Sequence, residues 1–137
     1  MQPFTYFEHT ADVGLAATGR DLPEAFANAA RGLVNLLVDP AGVRETTHRQ
    51  VALVEEGPEE LLVAWLNELL FLFDSEGFVP VSFTFAALSE TALEATLGGE
   101  RFDPARHRAR SGVKAATYHE VTVECDDVCR LRVILDV

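Results

Sequence analysis

The chain predicts an α+β domain: two layers, with two helices packed on one face of a mixed, mostly antiparallel sheet of about seven strands. Three observations carry this. Apolar residues alternate with polar ones near the N-terminus and again through the C-terminal half, the pattern of half-buried strands. Two segments, Leu22 to Leu37 and Leu61 to Phe73, carry helix signals instead. No long linker, low-complexity tract or repeat divides the 137 residues, a length that suits one domain spanning residues 1–137 with a sizeable core.

Phe4 to His9 is aromatic-rich and reads as a strand. Val13 to Thr18 reads as a second, with Val13, Leu15 and Ala17 on one face and a tight connection at Thr10-Ala11-Asp12. Asp21 opens a helix: it can accept from the first free N–H groups, and Glu24 completes a capping box with Pro23 in the first turn. Leu22, Phe26, Ala29, Leu33, Leu36 and Leu37 then recur at helical spacing, and Asp39-Pro40 ends the run. His48 to Glu56 holds a shorter strand. Gly57-Pro58-Glu59-Glu60 opens the second helix, with acids where the dipole favours them. Its body, LLVAWLNELLFLF, is broken only by Asn67 and Glu68, which predicts burial nearly all round. Asp74 to Gly77 terminates it. Val79 to Phe85 is a strand with Val81, Phe83 and Phe85 inward. Leu93, Ala95 and Leu97 mark another, stopped by Gly98-Gly99. Glu100 to His107 reads as a polar loop. Val113 to Cys125 and Val128 to Val137 form a hairpin around Asp126-Asp127.

A hydrophobic fraction of 48% and a mean hydropathy of +0.10 place the chain among globular proteins. It has no apolar stretch of membrane-spanning length, and Met1-Gln2-Pro3-Phe4 lacks a basic region followed by an apolar one. The expectation is a cytoplasmic protein with no membrane partner. The net charge of −11 argues against direct nucleic-acid binding, because phosphates are drawn to Lys/Arg patches. Basic partners and divalent cations are the natural counterparts. Of 11 basic residues ten are Arg, and Lys114 is the single lysine. Cys125 and Cys129 cannot complete a four-ligand zinc site alone. They are expected as reduced thiols flanking the last hairpin turn, although a disulfide is possible if they face each other.

The candidate for chemistry is Asp12 together with Asp136 and the terminal carboxylate of Val137. Hard divalent ions take carboxylate, carbonyl and water oxygens, and the fold is expected to bring the two chain ends into one acidic corner. Such a corner needs a cation or an Arg to neutralise it. Glu8 and His9 can supplement it. On spacing alone, the favoured reading is Asp12 as a turn residue, Asp136 as a solvated terminal charge and Lys114 as a solubilising edge charge. His107 and His119 lack partners at ligand spacing, and His119, alternating with Thr117 and Val121, reads as a satisfied sheet histidine. No nucleophile elbow, phosphate-binding loop or HExxH is present, which argues against a stand-alone catalyst.

Six blocks in order, covering essentially the whole chain, resemble the archease family: Phe7-Glu8-His9-Thr10-Ala11-Asp12-Val13-Gly14, Leu22-Pro23-Glu24-Ala25-Phe26, Trp65-Leu66-Asn67-Glu68-Leu69-Leu70, Gly99-Glu100-Arg101-Phe102-Asp103, Val113 to His119, and Val133-Ile134-Leu135-Asp136-Val137. Ala116 departs from the family's usual Val or Ile, and the cysteine turn is not a family feature. The resemblance implies a small acidic protein, not itself an enzyme, that activates the RtcB-type RNA ligase of tRNA splicing and RNA repair. It implies that the protein promotes guanylylation and multiple turnover of that ligase and broadens its nucleotide use. It also implies a divalent ion, Ca²⁺ with Mg²⁺ or Mn²⁺ as alternatives, held by Asp12, Asp136 and Val137. Lys114 is implied in activation, with His9 facing the partner. The reading set against it is a metal-binding interaction module or chaperone with no specific ligase.

Overall fold

The computed structural model describes residues 2–137. In chain order the elements are β1 (Phe4–His9), β2 (Asp12–Gly19), α1 (Leu22–Leu37), β3 (Thr47–Val54), α2 (Pro58–Glu76), β4 (Phe78–Leu88), β5 (Ala92–Arg101), β6 (Ala115–Cys125) and β7 (Cys129–Asp136). The α+β class, the seven strands and the two helices match the expectation. The single mixed sheet does not. The strands divide into a four-stranded sheet, β1-β2-β7-β6, and a three-stranded sheet, β3-β5-β4, and every pairing is antiparallel.

Both helices touch strands of both sheets, so they form a layer between them. That explains why α2 is apolar almost all round: Leu61, Leu62, Trp65, Leu66 and Leu69 are each 0–1% exposed. The buried Trp65 indole N–H donates to the Phe26 carbonyl of α1 at 3.0 Å, tying the two helices.

Local chemistry sets the helix ends. The Asp21 carboxylate accepts from the Glu24 N–H at 3.0 Å, and the Glu24 carboxylate reaches back to the Arg20 N–H at 2.9 Å, one residue ahead of the usual capping-box donor. Gly77 closes α2 at φ 69°, the left-handed geometry glycine adopts without strain. Gly98-Gly99 does not stop β5, which runs on to Arg101. These glycines are there for close packing: a Cβ on Gly99 would sit 2.0 Å from the Val79 carbonyl oxygen of β4.

Across β1, β2 and β7 of the four-stranded sheet the register is continuous. Phe4–His9 pairs with Asp12–Ala17, and Val13–Gly19 with Cys129–Leu135. Leu15, Ala17, Leu131, Val133 and Leu135 face the helices and are buried. On the other face, Phe7 lies over Gly14, where a Cβ would clash with its ring at 2.1 Å. The Arg132 guanidinium stacks 4.0 Å from the Phe7 ring.

β6 is an edge strand, and its inward backbone is capped by a side chain. Asn67 of α2 donates to the Ala116 carbonyl at 3.2 Å and accepts from the Ala116 N–H at 2.8 Å, acting as a one-residue strand partner. Thus the polar residue that interrupts α2 fixes the start of β6, next to Lys114.

Cys125 and Cys129, opposite each other across the β6–β7 turn, are joined in a disulfide with Cα atoms 4.0 Å apart. This corrects the expectation of reduced thiols: direct cross-strand pairing brings the two sulfurs together, a proximity that C-x3-C spacing leaves open.

Candidate functional site

The residues singled out from the sequence come from both ends of the chain, and sheet register brings them to one end of the four-stranded sheet. The β1–β2 hairpin turns through Thr10-Ala11, with Thr10 at φ 52°, and pairs His9 with Asp12. Val13 pairs with Leu135, so one further step sets Asp12 opposite Asp136. Asp136 in turn pairs with Ala115. His9, Asp12, Asp136 and Ala115 therefore form one row across all four strands. Directly opposed residues project to the same side, here the side away from the helices.

The next step adds Val137 and Lys114. The Lys114 N–H donates to the Asp136 carbonyl at 2.7 Å, and Lys114 and Val137 are exposed. Val137 follows the alternation of the core-facing residues of β7, so its α-carboxylate, and not its side chain, is the donor it offers. Glu8 pairs with Val13 and projects to the opposite face from His9 and Asp12, so it does not join the row.

The electrostatics of this row are unbalanced. The single ion-pair neighbour of Asp12 among the described residues is His9, with Nδ1 4.0 Å from Oδ2. Asp136 and Lys114 form no ion pair among the described residues. Two carboxylates and an α-carboxylate without a matched cation make an all-oxygen donor set, which fits a hard divalent ion.

His9 also looks the other way. Its Nε2 lies 2.7 Å from Glu120 Oε2, and its ring meets the His119 ring edge-on at 5.2 Å. Alternation along β6 hides this contact. The register of β6 on β7 shifts between Thr117 and Thr122, and Glu120 sits at φ 53° inside that irregularity. His119 is consequently no satisfied sheet histidine: its side chain is 65% exposed, with Nε2 3.5 Å from Glu120 Oε2. A cleft of about 400 Å³ lined by Phe7, His9, Glu120 and Arg132 opens beside the group.

The segment expected as a polar loop contains a second charged cluster, of another kind. Glu100, at the end of β5, is 4% exposed. Its carboxylate accepts from the Arg44 N–H at 2.8 Å, pairs with the Arg106 guanidinium and lies 2.8 Å from His107 Nε2. His107 Nδ1 accepts from the Asp103 N–H at 2.8 Å. That bond assigns the ring proton to Nε2, facing Glu100. Burial pushes the Glu100 carboxyl up, but Arg106, the Arg44 N–H and His107 together outweigh it and hold the group below the ordinary carboxylate range. The Glu100 carboxylate is matched by Arg106 and the Arg44 N–H, while His107 Nε2, though close to it, makes no hydrogen bond of good geometry; the cluster ties the 102–107 loop to β5.

The fold and this sheet end define a class: a small two-sheet α+β domain with a helical middle layer, in which Asp12 of β2 and Asp136 of β7 share an acidic row. Comparison with known proteins gives the family. The Archease protein family (MTH1598/TM1083) matches residues 4–137. Protein archease of Sulfurisphaera tokodaii is 41% identical over 126 residues, covering 90% of each chain. That of Methanosarcina acetivorans is 34% identical over 98% of this chain and 95% of its own. The solution structure of Methanobacterium thermoautotrophicum protein 1598 superposes over 100% of both chains with a TM-score of 0.82 at 34% identity. A Thermotoga maritima archease, described as a possible chaperone, shares the fold with a TM-score of 0.62 at 22% identity, over 96% of this chain and 94% of its own. The chain belongs to the archease family.

Proposed function

We propose that this protein is a non-catalytic activator of an RtcB-type RNA ligase, acting through a divalent cation held by Asp12, Asp136 and the Val137 carboxylate. The observation that carries the reading is the row itself: residues far apart in the chain meet where, among the described residues, Asp136 has no ion-pair partner and Asp12 has only His9, 4.0 Å away. Family membership supports it, as does the position of Lys114, whose backbone is pinned to Asp136.

Asp12 and Asp136 are set by strand pairing and not by a loop, so they present fixed oxygens at little ordering cost. A cation bound there, most naturally Ca²⁺ with Mg²⁺ or Mn²⁺ as alternatives, would supply positive charge for the nucleotide phosphates of the ligase. Lys114, on the same sheet end, adds a point charge suited to phosphate or to an acidic group of the partner. His9, half-buried beside Asp12, faces the same partner. The net charge of −11 suits docking on a basic, RNA-binding protein, with fast and salt-sensitive association. Direct nucleic-acid binding is not expected. Among the described residues no helix is long and apolar enough to cross a membrane; with the ligase as partner, the proposed location is the cytoplasm.

The test is multiple-turnover RNA joining by the cognate ligase with GTP and Mn²⁺, with this protein added or omitted. The expected result is a stimulated rate that vanishes in Asp12→Asn and Asp136→Asn. Stimulation retained in both variants rules out the acidic row as the active part. No stimulation of an active ligase favours the interaction-module or chaperone reading.

A further inference from the structure

The His9–His119–Glu120 group is chemically unlike the row beside it. We propose that His9 Nε2, His119 and Glu120 form a second cation site, for a first-row transition ion such as Zn²⁺ or Co²⁺, on the open face of the four-stranded sheet. Two imidazoles and a carboxylate are the donor set such ions prefer, whereas all-oxygen sites suit Ca²⁺ and Mg²⁺.

Four observations converge. One ligand atom from each residue lies within 4.8 Å of the others. Two of the three separations are shorter: Glu120 Oε2 is 2.7 Å from His9 Nε2 and 3.5 Å from His119 Nε2. Donors about 2.0–2.2 Å from one tetrahedral zinc ion lie about 3.3–3.6 Å apart; the His119–Glu120 separation matches this, and the His9–Glu120 pair, a hydrogen bond without the ion, has to open by under about 1 Å. Closing the remaining gap needs only a swing of the His119 side chain, which is 65% exposed. The backbone is strained to make the group: Glu120 is one of two described non-glycine residues at positive φ, within the irregular stretch of β6. Strain of this kind marks places where a side chain is aimed at a purpose.

The fourth observation is the other nitrogen of His9. Its Nδ1 is buried without a hydrogen-bond partner. While Nε2–H donates to Glu120, Nδ1 of the neutral ring is left as an unmatched acceptor facing Asp12 Oδ2, 4.0 Å away. An ion on Nε2 would move that ring proton to Nδ1, where it meets a carboxylate. This is the carboxylate–histidine–metal arrangement that orients metal-bound histidines. Three protein donors leave coordination positions open toward the cleft, as in sites that accept water or an anionic ligand. The two sites are then linked through His9: oxygen donors on its Asp12 side, nitrogen donors on its Glu120 side.

The experiment is direct titration of the isolated protein with Co²⁺, followed by visible absorption and by the His9 and His119 ring resonances, and with Zn²⁺ by calorimetry. No ligase is needed, so the result is separable from the activation reading. Wild-type protein should take up Co²⁺ with ligand-field bands and shifts on both rings. His119→Ala and Glu120→Gln, both at exposed side chains, should weaken uptake at least as much as losing a supporting residue does, about 10–100-fold. Asp136→Asn should leave Co²⁺ uptake in place while abolishing Ca²⁺ uptake. Co²⁺ affinity unchanged in the His119→Ala, Glu120→Gln double variant, or lost in Asp136→Asn, would overturn the proposal.

Discussion

Two clusters in this molecule are built from the same residue types and are electrostatic opposites. Around Glu100 a buried carboxylate meets a guanidinium, an imidazole and a backbone N–H. Around Asp12 and Asp136 a half-exposed pair of carboxylates meets one histidine, 4.0 Å away. The first cluster matches its carboxylate with counter-groups and therefore holds a loop. The second does not, and an unsatisfied charge that the fold takes care to position is available for an ion or a partner. Acidic content alone does not separate these cases; the separation lies in whether each charge already has its counter-group.

This contrast predicts a ranking of effects on stability. His107→Ala should cost the most, about 3 kcal/mol, because it strips partners from a buried carboxylate and from the Asp103 N–H; urea unfolding measures it, and a loss under about 0.5 kcal/mol would erase the distinction. The same cluster gives a pH signature. The folded-state pKa of Glu100 is depressed, so its stabilisation is fully present above the unfolded carboxylate value, near pH 4.3, and is lost as pH falls through the lower folded value. Melting temperature should therefore drop more steeply below pH 4 in wild type than in Glu100→Gln. Next is Asn67→Ala, at about 1–2 kcal/mol, since it leaves the Ala116 N–H and carbonyl without partners. It should also lower activation by loosening the Lys114 segment, which a purely structural role would not do. Asp12→Asn and Asp136→Asn come last, within about 0.5 kcal/mol or slightly stabilising, yet with the largest effect on ion binding and activation.

Legibility in the sequence follows the range of the interaction. The bounds of β1 and both helix starts were readable because caps, proline and periodicity act over a few residues. The meeting of Asp12 with Asp136 was expected, although the register that achieves it is a property of paired strands. The split into two sheets was not readable: alternation reports which side of a strand is buried, not which strand lies beside it. Gly98-Gly99 looked like a stop because the close approach of β4 that requires glycine is tertiary. Glu120 and His119 were missed for a related reason. The irregularity in β6 carries no Gly or Pro to announce it, and without it the two residues would fall on opposite faces. Glu100 was placed in a loop because its counter-charges, Arg106 and His107, lie past the end of β5.

The most direct test of the contrast is a Ca²⁺ titration of wild-type protein, Asp136→Asn and Glu100→Gln, each with its unfolding midpoint measured alongside. The account predicts Ca²⁺ uptake by wild type that is lost in Asp136→Asn with an unchanged midpoint, and kept in Glu100→Gln with a lowered one. Ca²⁺ uptake by Asp136→Asn equal to that of wild type would contradict it.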